Sequence, residues 1–546
     1  MPNRPSPLAP LKHTAFRSLW IATLASNLGG LVQSVGSGWM MTALDVSDGM
    51  VALVQASTTL PVFFLALAAG ALADNFERRK VMLVAQVFMC VVSALLAVSA
   101  YAGLLGPWSL LAFTFLIGCG GALNNPAWQS SMLDLVPKED LSAAVSLNAM
   151  GFNMMRSVGP AVGGLIVAFA GPASAFALNA VSYAAVIAAL IRWHPKPTER
   201  LLPRETLGAA MSAGLRYVRM SPNLLTIFSR STIFGISGIS ILALLPVVAR
   251  DVLDGGAITY GVLLGAFGFG AIFGALVSPR LREAHDSETI VRGSFLVFAL
   301  GAAVLGFSTY EWLSFLALML TGASWVQAMS LFNVSVQLST PRWVVGRALA
   351  LYQSCTFGGM TLGSWLWGQC STGIGPEWTL VLSGVTMLLG AALGLRYRLP
   401  ESAALNLDPL DRFQVPPLAL DIQGRSGPIM ILVEYRIALD DTTRFLALMA
   451  QRRRIRIRDG ARQWALLRDL EDPEIWTESY HVPTWHEYLR HNHRRTQADA
   501  ENFDSLTALH RGPERPRVHR MIERQTVPRH DDTPLTVQHV KIPGGG

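Results

Sequence analysis

Over roughly the first three-quarters of the chain, apolar residues come in long runs broken by short polar stretches. A helix needs about 20 apolar residues to cross a bilayer core, and only closed hydrogen bonding survives there. Spans are therefore expected at 16–43, 50–73, 81–104, 108–133, 142–170, 173–192, 223–249, 257–279, 289–308, 312–336, 345–370 and 377–397, twelve in all. The first run is too long for the core of a cleaved signal, so it is expected to stay as an anchor. Beyond Pro400 the pattern changes. A linker containing Pro409, Pro416, Pro417 and Gly424 leads into short alternating segments. These predict strands at 429–437, 463–470, 475–482 and 517–523, with helices at 442–453 and 484–506.

The resulting expectation is an all-α polytopic membrane protein, twelve transmembrane helices in two six-helix parallel repeats, plus a C-terminal α+β ferredoxin-like domain. The divisions fall at 1–192 for the first six helices, 193–222 for a central loop, and 223–398 for the second six. A linker at 399–428, the small domain at 429–525 and a disordered tail at 526–546 follow. A shift of 204 positions supports the repeat without gaps. It lays Gly70 on Gly274, Gly118 on Gly322, Pro137 on Pro341, Gly159 on Gly363, Gly164 on Gly368, and Gly171-Pro172 on Gly375-Pro376.

Composition agrees with two solvents. Of 546 residues 51% are hydrophobic and 15% charged, and the charge becomes dense only beyond Pro400. The net charge of +7 points to topology rather than to nucleic acid. Arg78, Arg79, Lys80, Lys138, Arg280, Arg282, Arg342, Arg347, Arg396 and Arg398 all follow even-numbered spans, whereas Asp45, Asp48, Asp251, Asp254, Glu311 and Glu377 lie in the opposite loops. The positive-inside rule then places both termini in the cytoplasm. Cys90, Cys119, Cys355 and Cys370 lie in apolar segments without ligand spacing and read as buried hydrophobes, so no disulfide, metal or cofactor is expected.

Candidate chemistry is sparse. The segment GALADNFERRKVML carries Gly70, Asp74, Arg78 and Arg79 in a polar turn after the second span, and a topology signal alone accounts for the bases but not for Gly70 and Asp74. Span five reads NMMRSVGPAVGGLIVAFAGP. In it Gly159, Pro160, Gly163 and Gly164 fit either a plain packing face or a bend and seal. Arg156 stands well inside that span, where an arginine costs about 2.5–3.5 kcal/mol, so it is expected to face a cavity or a partner. Asn153, one turn away, and Asn27, Gln33, Asn124, Asn125 and Gln129 are candidate polar lining, and Arg230 is a second basic candidate. No carboxylate lies mid-span. Asp45, Asp48, Asp74 and Asp134 are edge candidates for a coupling site. No G-x-x-x-x-G-K-S/T loop is present for nucleotide hydrolysis.

The Asp74 loop resembles the loop signature of the major facilitator superfamily, with Glu77 where that signature has glycine. SLWIATLASNLG, NNPAWQSSMLDLVP and RSVGPAVGG resemble its enterobactin-exporter-like (transmembrane secretion effector) branch. The resemblance implies a gate at Gly70, Asp74, Arg78 and Arg79, and proton-driven export of a siderophore or amphipathic drug-like molecule, with protons as coupling ion. An anionic cargo would suit Arg156. In the tail, DGARQWALLRDLEDPEIWTESY and TWHEYLRH resemble the antibiotic-biosynthesis-monooxygenase-like dimeric barrel family, which implies a homodimer through the sheets. Two further readings stay open: a membrane-anchored cofactor-independent monooxygenase, and a regulatory scaffold. His481, His486, His491 and His493 lie in a polar, arginine-rich segment and read as solvated rather than ligating, while Trp485 and Tyr488 are expected to pack the sheet.

Overall fold

The computed structural model describes residues 8–194, 207–341, 343–400 and 406–523, except 408, 409, 411 and 421. The tail expected at 526–546 lies outside the described residues. The chain divides into two units: Met1–Gly208, Asn223–Val336 and Gly346–Glu401 form the first, and Ala209–Pro222, Gln337–Val345 and Ser402–Gly546 the second.

In the first unit, α1 (Thr14–Ala43), α2 (Asp48–Asn75), α3 (Arg78–Tyr101), α4 (Pro107–Leu135), α5 (Leu141–Ala170) and α6 (Pro172–Arg192) build one half. The other half contains α8 (Pro222–Val247), α9 (Ala257–Ala284), α10 (Ser287–Phe307), α11 (Glu311–Leu338) and α12 (Val345–Arg396). Among the described residues ten helices are long and apolar enough to cross a membrane. Two features separate that figure from the expected twelve. The 30-residue α1 is long enough, but Arg17, Asn27, Gln33 and its serines and glycines dilute its apolarity. The 52-residue α12 is two helices joined across Gly375, whose φ of 84° breaks the helical path. Gly171, on which the shift of 204 positions lays Gly375, has φ 78° between α5 and α6. A positive φ strains any residue with a Cβ, which explains why both junctions are glycine followed by proline.

Polar side chains inside each half are largely spent on packing. Gln33 Oε1 accepts from Ser93 Oγ at 2.8 Å and from the Asn179 amide, tying α1 to α3 and α6. Phe234 of α8 packs its ring against Phe295 and Phe298 of α10 and Trp325 and Phe332 of α11. Arg230, only 1% exposed, donates to both carboxylate oxygens of Glu288 at 3.1 Å and to the Tyr397 carbonyl at 3.0 Å. Glu288 Oε2 also accepts from Leu399 N at 2.9 Å. One buried ion pair thus joins α8, the start of α10 and the chain leaving α12.

The second unit contains a four-stranded antiparallel sheet in the order β2 (Arg462–Arg468), β3 (Ile475–Val482), β1 (Ile429–Arg436), β4 (Arg517–Ile522). Ile431, Val433, Tyr435, Tyr480 and Val482 form its core with Phe445 and Met449 of α13 (Thr442–Asp459). Trp485 and Tyr488 stack at 5.0 Å and join that core, as their spacing predicts. The helix expected at 484–506 is two helices, α14 (Trp485–His493) and α15 (Gln497–Leu509). Thr496 explains the break: its amide and hydroxyl both donate to Asp499 Oδ2, which starts a new helix. The solvated reading of the histidines fails at His491, which is 1% exposed and accepts through Nε2 from Arg456 Nη1 at 3.1 Å. Among the described residues no group of three potential ligands could hold a metal ion.

The central loop carries a helix of its own, α7 (Leu207–Arg219), most of which belongs to the second unit. Tyr217 of α7 meets the Trp343 ring edge-on at 5.7 Å, and the Arg458 guanidinium lies 5.3 Å from the Tyr217 ring. Arg494 sits 4.3 Å over Trp343. The small domain therefore holds both the connection between the halves and the segment between α11 and α12.

Removing one partner of a buried ion pair leaves an uncompensated charge and costs about 3–5 kcal/mol. Glu288→Ala is expected to lower the thermal unfolding midpoint of the detergent-solubilised protein, with most of the loss recovered by Arg230→Met with Glu288→Leu. Equal midpoints for wild type and Glu288→Ala would contradict the structural role of the pair.

Candidate functional site

The two halves meet where glycine removes the side chain from both helices. A Cβ added at Gly164 of α5 would stand 2.9 Å from Gly261 Cα and from the Ala257 carbonyl oxygen of α9. A Cβ on Gly261 would in turn stand 2.8 Å from the Pro160 carbonyl oxygen. At the position 204 residues on, a Cβ on Gly368 of α12 would stand 3.0 Å from Gly49 Cα and 2.6 Å from the Ala52 side chain of α2. The motif in α5 also closes on α1: a Cβ on Gly159 would stand 2.8 Å from Leu31 Cβ, and one on Gly163 3.1 Å from Val32 Cα. Such contacts bring backbones together without a hydrophobic driving force, which lipid cannot supply.

Hydrogen bonds reinforce the junction at the same end of the molecule, where the acidic loops lie. Asp48 Oδ2 accepts from Ser371 Oγ at 2.7 Å, and Gly49 N donates to Thr372 Oγ1 at 3.1 Å. Thr59 and Thr361 pair through their hydroxyls at 2.8 Å. Arg250 Nη1 donates to the Thr42 carbonyl at 3.1 Å, and its Nη2 stands 4.0 Å from Asp48 Oδ1. The acidic end is closed.

Arg156 lies between the halves. It is half-buried on α5, its guanidinium carbon 5.6 Å from the ring centroid of Phe267 on α9. Among the described residues no hydrogen bond or ion pair reaches it. Phe267 supplies a weak cation–π contact but no counter-charge. The Asn153 side chain lies outside the described residues. Asn27 and Asn124 are half-buried, Asn124 accepting from Gln86 Nε2 at 3.3 Å, and Asn125 is exposed. Gln33 and Arg230 are the expected lining residues that the structure commits elsewhere, Gln33 to Ser93 and Asn179, and Arg230 to Glu288.

At the basic end, Gly70 and Asp74 fall in α2, and the Asp74 side chain lies outside the described residues. Arg78 Nη1 donates to Asp134 Oδ2 at 2.9 Å and to the Ser130 carbonyl at 2.8 Å, joining α3 to the end of α4. Arg79 donates to the Leu190 and Ile191 carbonyls at 2.8 and 3.0 Å, satisfying the last turn of α6. The basic pair therefore clamps three helices of one half.

A family model described as transmembrane secretion effector matches residues 5–527. The chain belongs to the transmembrane secretion effector family. The chain is 24% identical over 369 residues to the staphyloferrin A transporter of Staphylococcus aureus, covering 66% of this chain and 90% of that one. It is 26% identical over 418 residues to the enterobactin exporter of Shigella flexneri, covering 74% of this chain and 95% of the relative. A crystal structure of a nucleoside transporter superposes with a TM-score of 0.61 at 10% identity, covering 70% of this chain and 100% of that one. The protein is a multi-pass membrane transporter of the major facilitator superfamily, not an enzyme. Gly49, Gly261, Ser371 and Thr372 are contacts that sequence reasoning missed. The signal available was Gly368, which the repeat laid on Gly164.

A branched side chain at either glycine contact overpacks the closed end by about 1–3 kcal/mol. In proteoliposomes, Gly164→Val and Gly368→Val are each expected to raise the thiol-modification rate of a cysteine placed at Thr372 by roughly fivefold or more. Unchanged rates in both would show that these contacts do not hold the end shut.

Proposed function

We propose that this transporter exports an anionic siderophore by alternating access, with Arg156 in the cargo path. The observation that carries the reading is a half-buried arginine between two halves, placed against Phe267 and without an acidic partner among the described residues. A cation held inside a membrane protein without a counter-charge favours an anion that enters its cavity. The names of the staphyloferrin A transporter and the enterobactin exporter supply the cargo class.

The reading includes twelve spans as two parallel six-helix repeats, with α1 and the two parts of α12 as spans. It places both termini in the cytoplasm, following the basic loops, so the closed acidic end faces outward. The halves then rock about the glycine contacts, and Asp74 belongs to the gate at the basic end. Protons are the coupling ion. In the tail, the order β2-β3-β1-β4 supports a ferredoxin-like fold, and the sequence resemblance to the monooxygenase-like barrels supports pairing of two copies through their sheets.

Arg156→Gln is expected to reduce export of a carboxylate or catecholate siderophore from loaded inverted vesicles at least about tenfold, equivalent to 1.4 kcal/mol. Arg156→Lys retains part of it. Equal export by wild type and Arg156→Gln across carboxylate and catecholate siderophores would overturn the assignment.

A further inference from the structure

The second unit has a cavity of about 560 Å³ lined by none of the residues placed in the proposed cargo path. It opens between α13, α15, the end of α14 and the linker residues Leu410, Phe413 and Gln414, and six arginines line it, Arg412, Arg452, Arg456, Arg495, Arg515 and Arg520. Arg456 donates through Nε to Glu478 Oε1 at 2.9 Å. Arg452, 2% exposed, has its Nε 3.8 Å from Glu478 Oε2, and that nitrogen finds no hydrogen-bond acceptor. Arg495 is half-buried, and no carboxylate pairs with it among the described residues. Two guanidinium groups thus share the Glu478 carboxylate, and Arg495 adds a third cation beside them.

The local electrostatics agree with that count. Burial together with Arg456 and Arg452 pushes Arg495 down to about 10. Burial, with the same cations and Arg495, holds His491 well below its ordinary value, so it adds no charge and accepts from Arg456. Each of the three acids on the wall has an arginine partner outside the Glu478 group, although Asp459 Oδ2 keeps no hydrogen bond. Asp459 Oδ1 takes Arg458 Nε at 3.0 Å, Asp499 Oδ2 takes Arg458 Nη2 at 2.8 Å, and Asp504 stands 3.5 Å from Arg412. Part of the remaining wall is apolar, beside Gln414, Asn492, His493 and Thr507. Phe413, Ile455 and Phe503 line it, with the Arg452 guanidinium 5.4 Å from the Phe503 ring.

We infer that the cavity lined by Arg452, Arg456 and Arg495 binds an organic carboxylate with a ring-sized apolar body. A guanidinium fork matches a carboxylate bidentately, and an entering anion supplies the charge that Glu478 alone cannot. The volume lies within the range of about 300–1,000 Å³ found for small-molecule sites, well above the size of an inorganic ion. The aromatic walls suit the body of the ligand. The site also adjoins the seat of α7. Asp459 on the cavity wall holds Arg458, which lies against Tyr217, and the Asp459 carbonyl accepts from Arg494, which covers Trp343. A ligand in the cavity therefore rests on the residues that hold the connection between the two halves.

The test is calorimetric titration of the full-length protein in detergent with benzoate and with benzamide, which has the same ring and no charge. Benzoate is expected to bind, with benzamide at least about tenfold weaker. Arg495→Gln is expected to weaken benzoate at least about tenfold, and Arg495→Lys to recover part of the loss. Arg495 is half-exposed and outside the Glu478 bridge, so the variant keeps its fold, as an unchanged unfolding midpoint would verify. Arg156→Gln separates the two anion sites, since it is expected to leave benzoate affinity unchanged. Equal affinity for benzoate and benzamide, an isotherm unaltered by Arg495→Gln, or no benzoate binding up to about 10 mM, the range of weak single-site affinities, would each overturn the inference.

Discussion

Close approach of α5 to α9, and of α2 to α12, is the constraint on which the membrane unit depends. Two helices in lipid gain nothing from hiding apolar surface from each other, so association rests on packing and hydrogen bonds. Gly164 against Gly261 and Gly368 against Gly49 allow backbone contact on both sides of the junction. Once the backbones are that near, Asp48 reaches Ser371 and Gly49 reaches Thr372. A seal built from small contacts costs little to break, which a transporter that must open the same end requires.

Charge placement separates what is fixed from what is available. Arg230 and Glu288 neutralise each other out of solvent and bind the chain as it leaves α12, so that half behaves as a body. Nearer the surface, Arg78 ties α3 to α4 through Asp134, and Arg79 ties α3 to the last carbonyls of α6. Arg156 receives no such compensation among the described residues, and it lies where the halves face each other. The contrast between Arg230, paired with Glu288, and Arg156, which has no acidic partner among the described residues, is what the proposed cargo role of Arg156 rests on.

Much of this was legible from residue order. Long apolar runs mark the helices because lipid tolerates little else, and the Gly-Pro junctions at 171–172 and 375–376 mark breaks because only glycine takes the positive φ seen there. Arg156 stood out because a charge inside an apolar run is costly. Arg230 stood out for the same reason, yet its partner Glu288 is 58 positions away at a helix start, and sequence spacing carries no sign of that meeting. The cross-half contacts of Gly49 and Gly261 were hidden likewise, since each is one glycine among 48 until the helices are in place. In the small domain, strand alternation showed the sheet, but the split after His493 depends on a capping contact between Thr496 and Asp499 within a polar run. His491 looked solvated because its neighbours in sequence are polar, whereas its neighbours in space are Arg456 and Tyr480.

The central claim is that the two halves rock about the glycine contacts, so that the ends open in alternation. Electron–electron spin distance measurements test it most directly, on a background with Cys90, Cys119, Cys355 and Cys370 replaced. One label pair at Ser47 and Gly373 spans the acidic end, and a second at Glu77 and Glu283 spans the basic end. Under an imposed proton gradient with siderophore present, the account predicts that the acidic-end distance lengthens while the basic-end distance shortens. Two distances that stay fixed, or that change in the same direction, would contradict it.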